Sequence, residues 1–555
     1  MAEPVIKYVP LGGLEEIGRN CMFIENEESI VVIDMGLQFP EDSTPGIDYI
    51  IPNVKYLETK KDKIRALIIT HGHYDHIGAI PYVMAKLGNP TIYTSAIARE
   101  IILKRQDDFP NQPKLNIVTI KHGDTAKLAA DINAEFFDLD HTIPDTMGVV
   151  LKTAIGNIVH VTDFRLDYDD DGKPTDIESF KKIGDMGVHT LIMESTNADR
   201  DGQSVAERVV VKNLEDLFAK AKGRIIVATF ASMITRLGEI VKIAGRINRK
   251  VFVAGFSMKA NLQIAQNLGY LKFEKDAVLP IEDLHKYKDE KVLIVCTGAQ
   301  GEANAQLMKI ANGQHRFITA KEGDSFVLSS SIVPGNEGAV EILKDNLSRQ
   351  GATVFQSSHI DIHASGHGPR EDMKLMMRAM RPTFFIPVHG KYFKRAANRE
   401  NAIEAGVPKE NTLMMDNGMV AEFTKETAKI TKEQVESFMV MVDGLGVGDV
   451  GEIVLRDRLI LSDEGMMVMI VTLDRKTGKL LKKPDIISRG FIYLKDNQEL
   501  VEEVRRKVKN IIEKMPETQT LDPEFAKSLI RDQIGAFLYQ RTKRRPMILP
   551  VVIEV

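Results

Sequence analysis

Four side chains that commonly bind metal ions lie within six residues of this chain, directly after an apolar run. The run spans residues 64–69, and the residues that follow it are His71, Gly72, His73, Tyr74, Asp75 and His76. Imidazole and carboxylate groups are the ligands that zinc and similar divalent ions prefer. Because the spacing is too short for one ion to use all four, it predicts two neighbouring ions. His71 and His73 would bind one ion, and Asp75 and His76 the other.

Two ions need further ligands, and three later residues can supply them after strand-like runs. These are His141, Asp163 and His389. A carboxylate can bridge two ions and a neutral imidazole cannot, so we assign Asp163 as the bridge. His141 then becomes the third imidazole of the first ion, and His389 completes the second. Two divalent ions about 3.5–4 Å apart favour phosphodiester hydrolysis; zinc suits this imidazole-rich shell, and manganese is compatible with it.

Composition narrows the class of protein. The chain has 555 residues, of which 43% are hydrophobic and 27% charged, as in a soluble globular protein. A net charge of -5 excludes a uniformly basic nucleic-acid-binding protein but allows a local basic groove. The two cysteines, Cys21 and Cys296, are too few for a disulfide framework. We expect a cytoplasmic protein without a membrane partner, because the N-terminus lacks signal-peptide features and no apolar run approaches the ~20 residues of a membrane helix.

The pattern of apolar runs predicts an inserted domain. Strands come first in residues 1–204, whereas residues 205–362 alternate strand and helix patterns, which predicts βαβ units and a parallel sheet. Residues 363–423 return to a strand that ends at His389. If His389 joins the first cluster, the α/β domain interrupts a parent fold. Residues 424–436 are charged and helix-compatible, so we predict a linker over 424–446, followed by a small α/β domain at 447–555.

The ligand order resembles that of the metallo-β-lactamase superfamily, whose signature is a His-x-His-x-Asp-His run with a later His, Asp and His. Glu194 and the segment His363–Gly368 are similar to motifs of its β-CASP nucleases. More narrowly, the chain resembles the ribonuclease J family from the run 11–18 to the run 542–550. The resemblance implies an α/β fold: a metallo-β-lactamase αββα sandwich (1–204 and 363–423), an inserted β-CASP domain (205–362), and a C-terminal assembly domain.

The same resemblance implies a function. Such a protein would degrade single-stranded RNA from a 5′-monophosphate end in the 5′→3′ direction and also cut internally. It would act in messenger RNA turnover and ribosomal RNA maturation. Two Zn²⁺ per subunit are implied, with Mn²⁺ as an alternative, and so is a homodimer or homotetramer formed through the C-terminal domain.

Further site residues follow from the resemblance. RNA phosphates would contact two segments, Ser232, Met233, Ile234 and the loop His363, Ala364, Ser365, Gly366, His367. His363 or His367 could protonate the leaving 3′-oxygen, since imidazole is suited to general-acid work near neutral pH. We count Asp75 and Glu194 with them as catalytic; Glu194 would orient or charge one of these histidines rather than bind metal. A structural calcium site is also implied, with the Gly46 carbonyl, Asp48 and Asp443 as ligands.

One departure and three alternatives stay open. The family often has Gly-Arg-Ser-Met where this chain has Gly255, Phe256, Ser257 and Met258. Phe256 could stack on a base, but we expect it to fill the core; loss of the guanidinium puts the strength of the 5′-end preference in doubt.

The alternatives are a β-CASP nuclease acting on DNA, a metallo-hydrolase acting on a small ester, and a non-catalytic partner subunit. The long insert argues against a small substrate, and the full ligand set argues against a non-catalytic subunit.

Overall fold

The chain folds into two units, each with its own core. In the computed structural model, residues 3–41, 43–274, 276–302, 304–333, 335–358, 360–515 and 522–555 are described. One unit comprises Met1–Gln38 and Ile51–Met439, and the other Phe39–Ile50 and Val440–Val555. No helix of the described residues is long and apolar enough to cross a membrane.

The strands and helices are numbered in chain order. The strands are β1 (Ile6–Gly12), β2 (Cys21–Glu25), β3 (Ile30–Ile33), β4 (Tyr49–Ile51), β5 (Ile64–Ile68), β6 (Ile92–Thr94), β7 (Ile117–Thr119), β8 (Thr125–Lys127), β9 (Asn133–Leu139), β10 (Thr146–Thr153), β11 (Gly156–Val161), β12 (Val188–Glu194), β13 (Ile225–Ala228), β14 (Lys250–Ala254), β15 (Val278–Leu279), β16 (Val292–Cys296), β17 (Ser325–Leu328), β18 (Thr353–Gln356), β19 (Phe384–Val388), β20 (Met419–Phe423), β21 (Ala428–Gln434), β22 (Val440–Asp443), β23 (Gly446–Val447), β24 (Met466–Leu473), β25 (Asp485–Arg489) and β26 (Met547–Glu554). The helices are α1 (Lys55–Thr59), α2 (Tyr74–Ile77), α3 (Ile80–Val83), α4 (Ala96–Gln106), α5 (Ile177–Asp185), α6 (Glu207–Lys220), α7 (Ile234–Arg246), α8 (Phe256–Asn267), α9 (Gln306–Ala311), α10 (Glu337–Arg349), α11 (Arg370–Met380), α12 (Tyr392–Ala405), α13 (Glu452–Asp463), α14 (Gln498–Glu513) and α15 (Pro523–Thr542).

Two sheets packed face to face form the framework of the larger unit. Their strand orders are β21-β20-β1-β2-β3-β5-β6-β7 and β19-β12-β11-β10-β9-β8. Apolar side chains from both sheets, such as Tyr8, Ile33, Phe136 and Ile386, share one buried core. A second core lies on the outer face of the second sheet, under α5, α11 and α12. Burial of such surface contributes about 25 cal/mol per Å², which stabilises a layered sandwich.

An α/β domain interrupts this sandwich between two neighbouring strands. β12 precedes the insert and β19 follows it, and the two pair in parallel from Thr190↔Phe384 to Glu194↔Val388. The inserted sheet has the order β15-β14-β16-β13-β17-β18, and its strand pairs are parallel. The predicted parallel sheet and the predicted insertion are therefore confirmed.

The second unit is a smaller α/β structure. Strand β24 pairs antiparallel with β25 and parallel with β26. Helices α14 and α15 bury their apolar faces with this sheet, for example at Val504, Val508 and Ile530. The sandwich, the α/β insert and this α/β unit together confirm the predicted fold class.

The segment predicted as a helix-compatible linker is different in the structure. Its residues 428–434 form strand β21, which pairs antiparallel with β20 at the edge of the first sheet. The helix expectation was wrong because the charged side chains Lys429, Lys432 and Glu433 lie on an exposed edge strand, where one solvated face tolerates them.

Candidate metal centre

The predicted ligands come together because several strands end at the same edge of the sandwich. β11, β12 and β19 are parallel neighbours, so the residues at or just after their ends, Asp163, Glu194 and His389, lie side by side. On the facing sheet, β5 leads into His71, and β9 of the second sheet leads into His141. The carboxyl ends of parallel strands are where α/β layers present ligands.

The seven ligand candidates form two groups that share one residue. His71, His73, His141 and Asp163 lie together, and so do Asp75, His76, Asp163 and His389; within each group the donor atoms are no more than 4.8 Å apart. These are the same two sets, and the same shared aspartate, that the sequence predicts.

Donor separations in the first group suit one ion. Nδ1 of His73 lies 3.1 Å from Nε2 of His71 and 3.2 Å from Nε2 of His141. Oδ2 of Asp163 lies 3.7 Å and 3.8 Å from the same two Nε2 atoms. Bonds of about 2.0–2.1 Å place donors of one zinc ion roughly 2.9–3.4 Å apart, depending on coordination geometry. The first group therefore needs only a small contraction to hold an ion.

The second group uses the same oxygen of Asp163. Its Oδ2 lies 3.4 Å from Nε2 of His76, which in turn lies 3.5 Å from Oδ2 of Asp75. Nε2 of His389 is 3.7 Å from that Asp75 oxygen. One carboxylate oxygen thus faces both groups, which is the geometry of a bridging ligand.

The far sides of the imidazoles are held by acceptors that fix their orientation. Nδ1 of His76 donates to Asp34 at 2.7 Å, and Nδ1 of His389 donates to Oδ1 of Asp163 at 2.7 Å. Nδ1 of His141 donates to the Gly366 carbonyl at 2.6 Å. With the proton on Nδ1, the Nε2 lone pair points into the centre, as metal binding requires.

Electrostatics favour neutral imidazoles in the first group. Burial, with the adjoining imidazoles, lowers the pKa of His71 and of His141 well below the ordinary histidine value. In the second group, burial lowers the pKa of His76 and of His389, but Asp163 and the neighbouring carboxylates outweigh it and raise both pKa values. Burial opposes ionisation of Asp163, but His389 and His76 outweigh it and lower the pKa of that carboxyl. Neutral imidazoles and ionised carboxylates are the ligating forms.

His367 and Glu194 form a pair beside the two groups. Nδ1 of His367 donates to Oε2 of Glu194 at 2.7 Å, and Oε1 of Glu194 accepts from the Phe164 backbone at 2.7 Å. Glu194 is fully buried, whereas the His367 side chain is 24% exposed. Burial lowers the pKa of His367, but Glu194 and Asp163 outweigh it and raise that pKa to about 9. A carboxylate of Glu194, Asp163 and His367 also lie within one donor cluster.

His363 has different surroundings from His367. Burial and the nearby Arg236 guanidinium lower the pKa of His363 to about 3. Arg236 is itself buried, pairs through Nε and Nη2 with Glu207, and donates to the Ile362 carbonyl. The two candidate acids are thereby separated: His367 lies at the ligand groups, and His363 lies against a buried arginine.

The two predicted RNA-contacting segments are only partly accessible. Met233 and Ile234 are buried, and Ser232 stands just before helix α7. In the loop 363–367, Ala364 is buried and the Gly366 carbonyl is taken by His141. A Cβ on Gly366 would lie 2.6 Å from the His141 ring, so a side chain is excluded there. Ser232, Ser365 and His367 retain partly exposed polar side chains.

Phe256 and the predicted calcium ligands depart from expectation. Phe256 is 78% exposed at the start of α8, so the core-filling expectation was wrong; its ring lies 6.0 Å from Nζ of Lys104.

In the smaller unit, the Arg458 guanidinium donates to the Gly46 carbonyl at 3.0 Å and to Asp443 at 2.5 Å, and Asp48 accepts from the Gly444 backbone. The Gly46 carbonyl and Asp443 are thus already paired with a cationic side chain, an arrangement that does not fit a calcium ion.

The sequence prediction missed Asp34 and Asn20. Asp34 accepts from Thr70 as well as from His76 and adopts φ +59°, a backbone conformation that is uncommon outside glycine. The acidic residue directly after the run 30–33 was the available signal for Asp34. Asn20 Nδ2 lies 3.1 Å from Nε2 of His76, and nothing in the local sequence indicates that contact.

Comparisons with known proteins agree over the whole chain. Family models match for the metallo-beta-lactamase superfamily at residues 14–176, for the ribonuclease J beta-CASP domain at 222–347, and for the ribonuclease J C-terminal domain at 453–555. The chain is 35% identical to ribonuclease J 2 of Staphylococcus epidermidis over 551 residues, which covers 99% of this chain and 98% of that one. It is 36% identical to ribonuclease J 2 of Staphylococcus aureus with the same coverage.

A solved structure shares the fold. The crystal structure of a protein of unknown function from Enterococcus faecalis V583 superposes with a TM-score of 0.52 at 16% identity. The match covers 78% of this chain and 100% of that one.

Proposed function

The chain belongs to the ribonuclease J family, and from this premise we propose that it uses two divalent ions to hydrolyse single-stranded RNA from a 5′-monophosphate end in the 5′→3′ direction, and that it also cuts internally. Membership confirms the resemblance seen in the sequence. It also makes the protein a metal-dependent hydrolytic nuclease of the ribonuclease J type. The 5′→3′ direction of degradation, the preference for a 5′-monophosphate end and the internal cleavage of RNA are proposed.

One observation carries the proposal: a single oxygen of Asp163 faces both ligand groups. Oδ2 of Asp163 lies 3.4 Å from Nε2 of His76 and 3.7 Å from Nε2 of His71. When bound, two ions activate a water molecule and offset charge on the scissile phosphate. We propose zinc for both positions, since five of the seven candidate ligands are imidazoles; manganese is the alternative.

His367 is the general acid in this proposal. It adjoins Asp163 and Glu194, and its partial exposure allows contact with an RNA oxygen. Glu194 accepts from its Nδ1, so Nε2 remains free to hand a proton to the leaving 3′-oxygen. His363, which packs against Arg236, is left with a phosphate-contacting role.

RNA contacts follow from which polar groups are accessible. Ser232 and Ser365 supply hydroxyls for phosphate oxygens. Met233 and Ile234 can contribute only through the backbone, because their side chains are buried. Phe256 would stack on a base, a role supported by the exposure of most of its ring. The proposal extends to messenger RNA turnover and ribosomal RNA maturation as physiological roles, and to a homodimer or homotetramer formed through the C-terminal domain.

Digestion of end-labelled substrates tests this function. Single-stranded RNAs of one sequence would carry a 5′-monophosphate, a 5′-triphosphate or a 5′-hydroxyl, with a 5′-monophosphate DNA as the control. We expect mononucleotide release from the monophosphate RNA and only internal fragments from the other two RNAs. Equal release from all ends would remove the end preference. Degradation of the DNA at the RNA rate would favour a DNA-processing nuclease, and cleavage of a small ester without RNA cleavage would favour the metallo-hydrolase.

A further inference from the structure

The loop of residues 13–20 joins the two chain segments that supply the second ligand group. The Asn20 backbone N–H donates to the Asp75 carbonyl at 3.0 Å. At the other end of the loop, the Glu15 N–H donates to the Gly390 carbonyl, and the Gly390 N–H donates to the Gly13 carbonyl, both at 3.1 Å. Asp75 and His389 are therefore tied to one another through this loop, although 314 positions separate them in the sequence.

The Asn20 side chain lies where the Nε2 atoms of two ligand imidazoles converge. Its Nδ2 is 3.1 Å from Nε2 of His76 and 3.5 Å from Nε2 of His389. Asp34 and Asp163 bind Nδ1 of those two rings, so both Nε2 atoms face the amide. Asn20 is 1% exposed, and its position is fixed by its own backbone hydrogen bonds to Asp75 and Gly36.

These separations match those between the ligands themselves. Donor atoms of the second group lie 3.4, 3.5 and 3.7 Å apart, and the Asn20 amide atom lies 3.1 and 3.5 Å from two of them. Donors on one zinc ion are roughly 2.9–3.4 Å apart. The amide thus lies about as close to two of these donor atoms as the donor atoms lie to one another.

We propose that Asn20 is a further ligand of the second ion. An Nε2 atom that binds a metal ion cannot also accept a hydrogen bond, so the amide N–H groups lose their acceptors when the ion is present. A half-turn of the amide exchanges its nitrogen and oxygen and directs Oδ1 at the ion. The second ion then has five protein donors, Asp75, His76, Asp163, His389 and Asn20, and the first has four.

This inference rests on the proposed two-ion function. The metal content per chain distinguishes a failure of the inference from a failure of that function. Protein would be stripped of metal, dialysed against a chelator-buffered zinc solution, and its zinc measured per chain by mass spectrometry. We expect two ions in the wild type and one in Asn20→Leu, which keeps the side-chain shape but removes the amide, with at least a tenfold weaker second site. Asn20→Asp restores an oxygen and retains two ions. If Asn20→Leu does not fold, Asn20→Ser, whose hydroxyl is too short to reach the ion, replaces it.

Asn417 supplies the matched control. Its side chain is hydrogen-bonded to both backbone groups of Leu14 in the same loop but does not contact the ligand groups. Asn417→Leu should keep two ions. Two ions of unchanged affinity in Asn20→Leu would overturn the inference, and so would loss of the same ion in Asn417→Leu, because the loop alone would then explain it. Fewer than two ions in the wild type would instead defeat the proposed function.

Discussion

Asp163 combines three contacts that are hard to satisfy with any other side chain. Oδ2 faces both ligand groups, Oδ1 accepts from His389, and the side chain is 2% exposed. Buried carboxylates are tolerated when paired and are costly when their partners are removed. The residue therefore links the two ion positions to each other and to the strand that follows the insert.

Asp163→Ala should reduce RNA cleavage beyond detection while the protein stays folded. Changing residues that only support metal ligands already costs about 10- to 100-fold, and Asp163 faces both positions. Initial rates on the monophosphate RNA and thermal unfolding would be measured side by side. Asp145→Ala is a suitable control, because Asp145 pairs with Tyr270 and not with the ligand groups. Wild-type turnover by Asp163→Ala would refute the site.

His367→Gln should lower kcat by about 10²- to 10⁴-fold, the usual contribution of a general acid, without changing metal content. The imidazole supplies a proton in this role and lies outside the seven proposed ligands. His285→Gln, at an exposed histidine bonded to the Glu282 carbonyl, is the control. Single-turnover rates and zinc per chain would be compared. An unchanged kcat in His367→Gln would assign the proton to another group.

At the residue level, the sequence indicates site candidates where they lie close together along the chain. His71, His73, Asp75 and His76 are recognisable because they are neighbours in the sequence. The contribution of Asp34 depends on the parallel pairing of β3 and β5, and that of Asn20 on a loop closed by Gly390. Such long-range contacts leave no local pattern, so they could be found only in the structure.

At the scale of elements, the rule that strand ends carry the chemistry accounts for most of the candidate site. Buried apolar runs identified β5, β11, β12 and β19, and each has a site residue at its carboxyl end or shortly after it. The same rule failed for β21, whose exposed side chains give no apolar alternation. Hydrophobic patterning thus predicts interior strands well and solvated edge strands poorly.

Calcium should leave the melting temperature unchanged, because Arg458 already engages the Gly46 carbonyl and Asp443. Saturation of a real site would stabilise the protein by about 2.7 kcal/mol at one hundred times Kd. Thermal unfolding would be followed with calcium and with a calcium-selective chelator. Arg458→Gln frees both oxygens and should gain a calcium response. A clear rise in Tm for the wild type would show that calcium displaces the guanidinium.

At the scale of the whole molecule, the smaller unit presents an apolar surface beside its sheet edge. Alternate residues of β26, Leu549, Val551 and Ile553, are 38–44% exposed and share one face of the strand. Apolar side chains exposed in a continuous row favour association with another surface. This row is consistent with the proposed assembly through the C-terminal domain.

Val551→Glu should dissociate the proposed oligomer into single chains, since a charge cannot be buried there without a partner. Light scattering coupled to size-exclusion chromatography would give the mass at one fixed protein concentration. Lys527→Glu, which reverses a charge on α15, is the control and should keep the wild-type mass. A wild-type mass for Val551→Glu would place the interface elsewhere.

Anomalous X-ray diffraction from crystals of active, zinc-loaded protein tests the two-ion centre most directly. We expect two peaks per chain about 3.5–4 Å apart, with Oδ2 of Asp163 between them and His71 and His389 on opposite ions. A single peak, no peak, or His389 bound to neither ion would contradict the proposed mechanism.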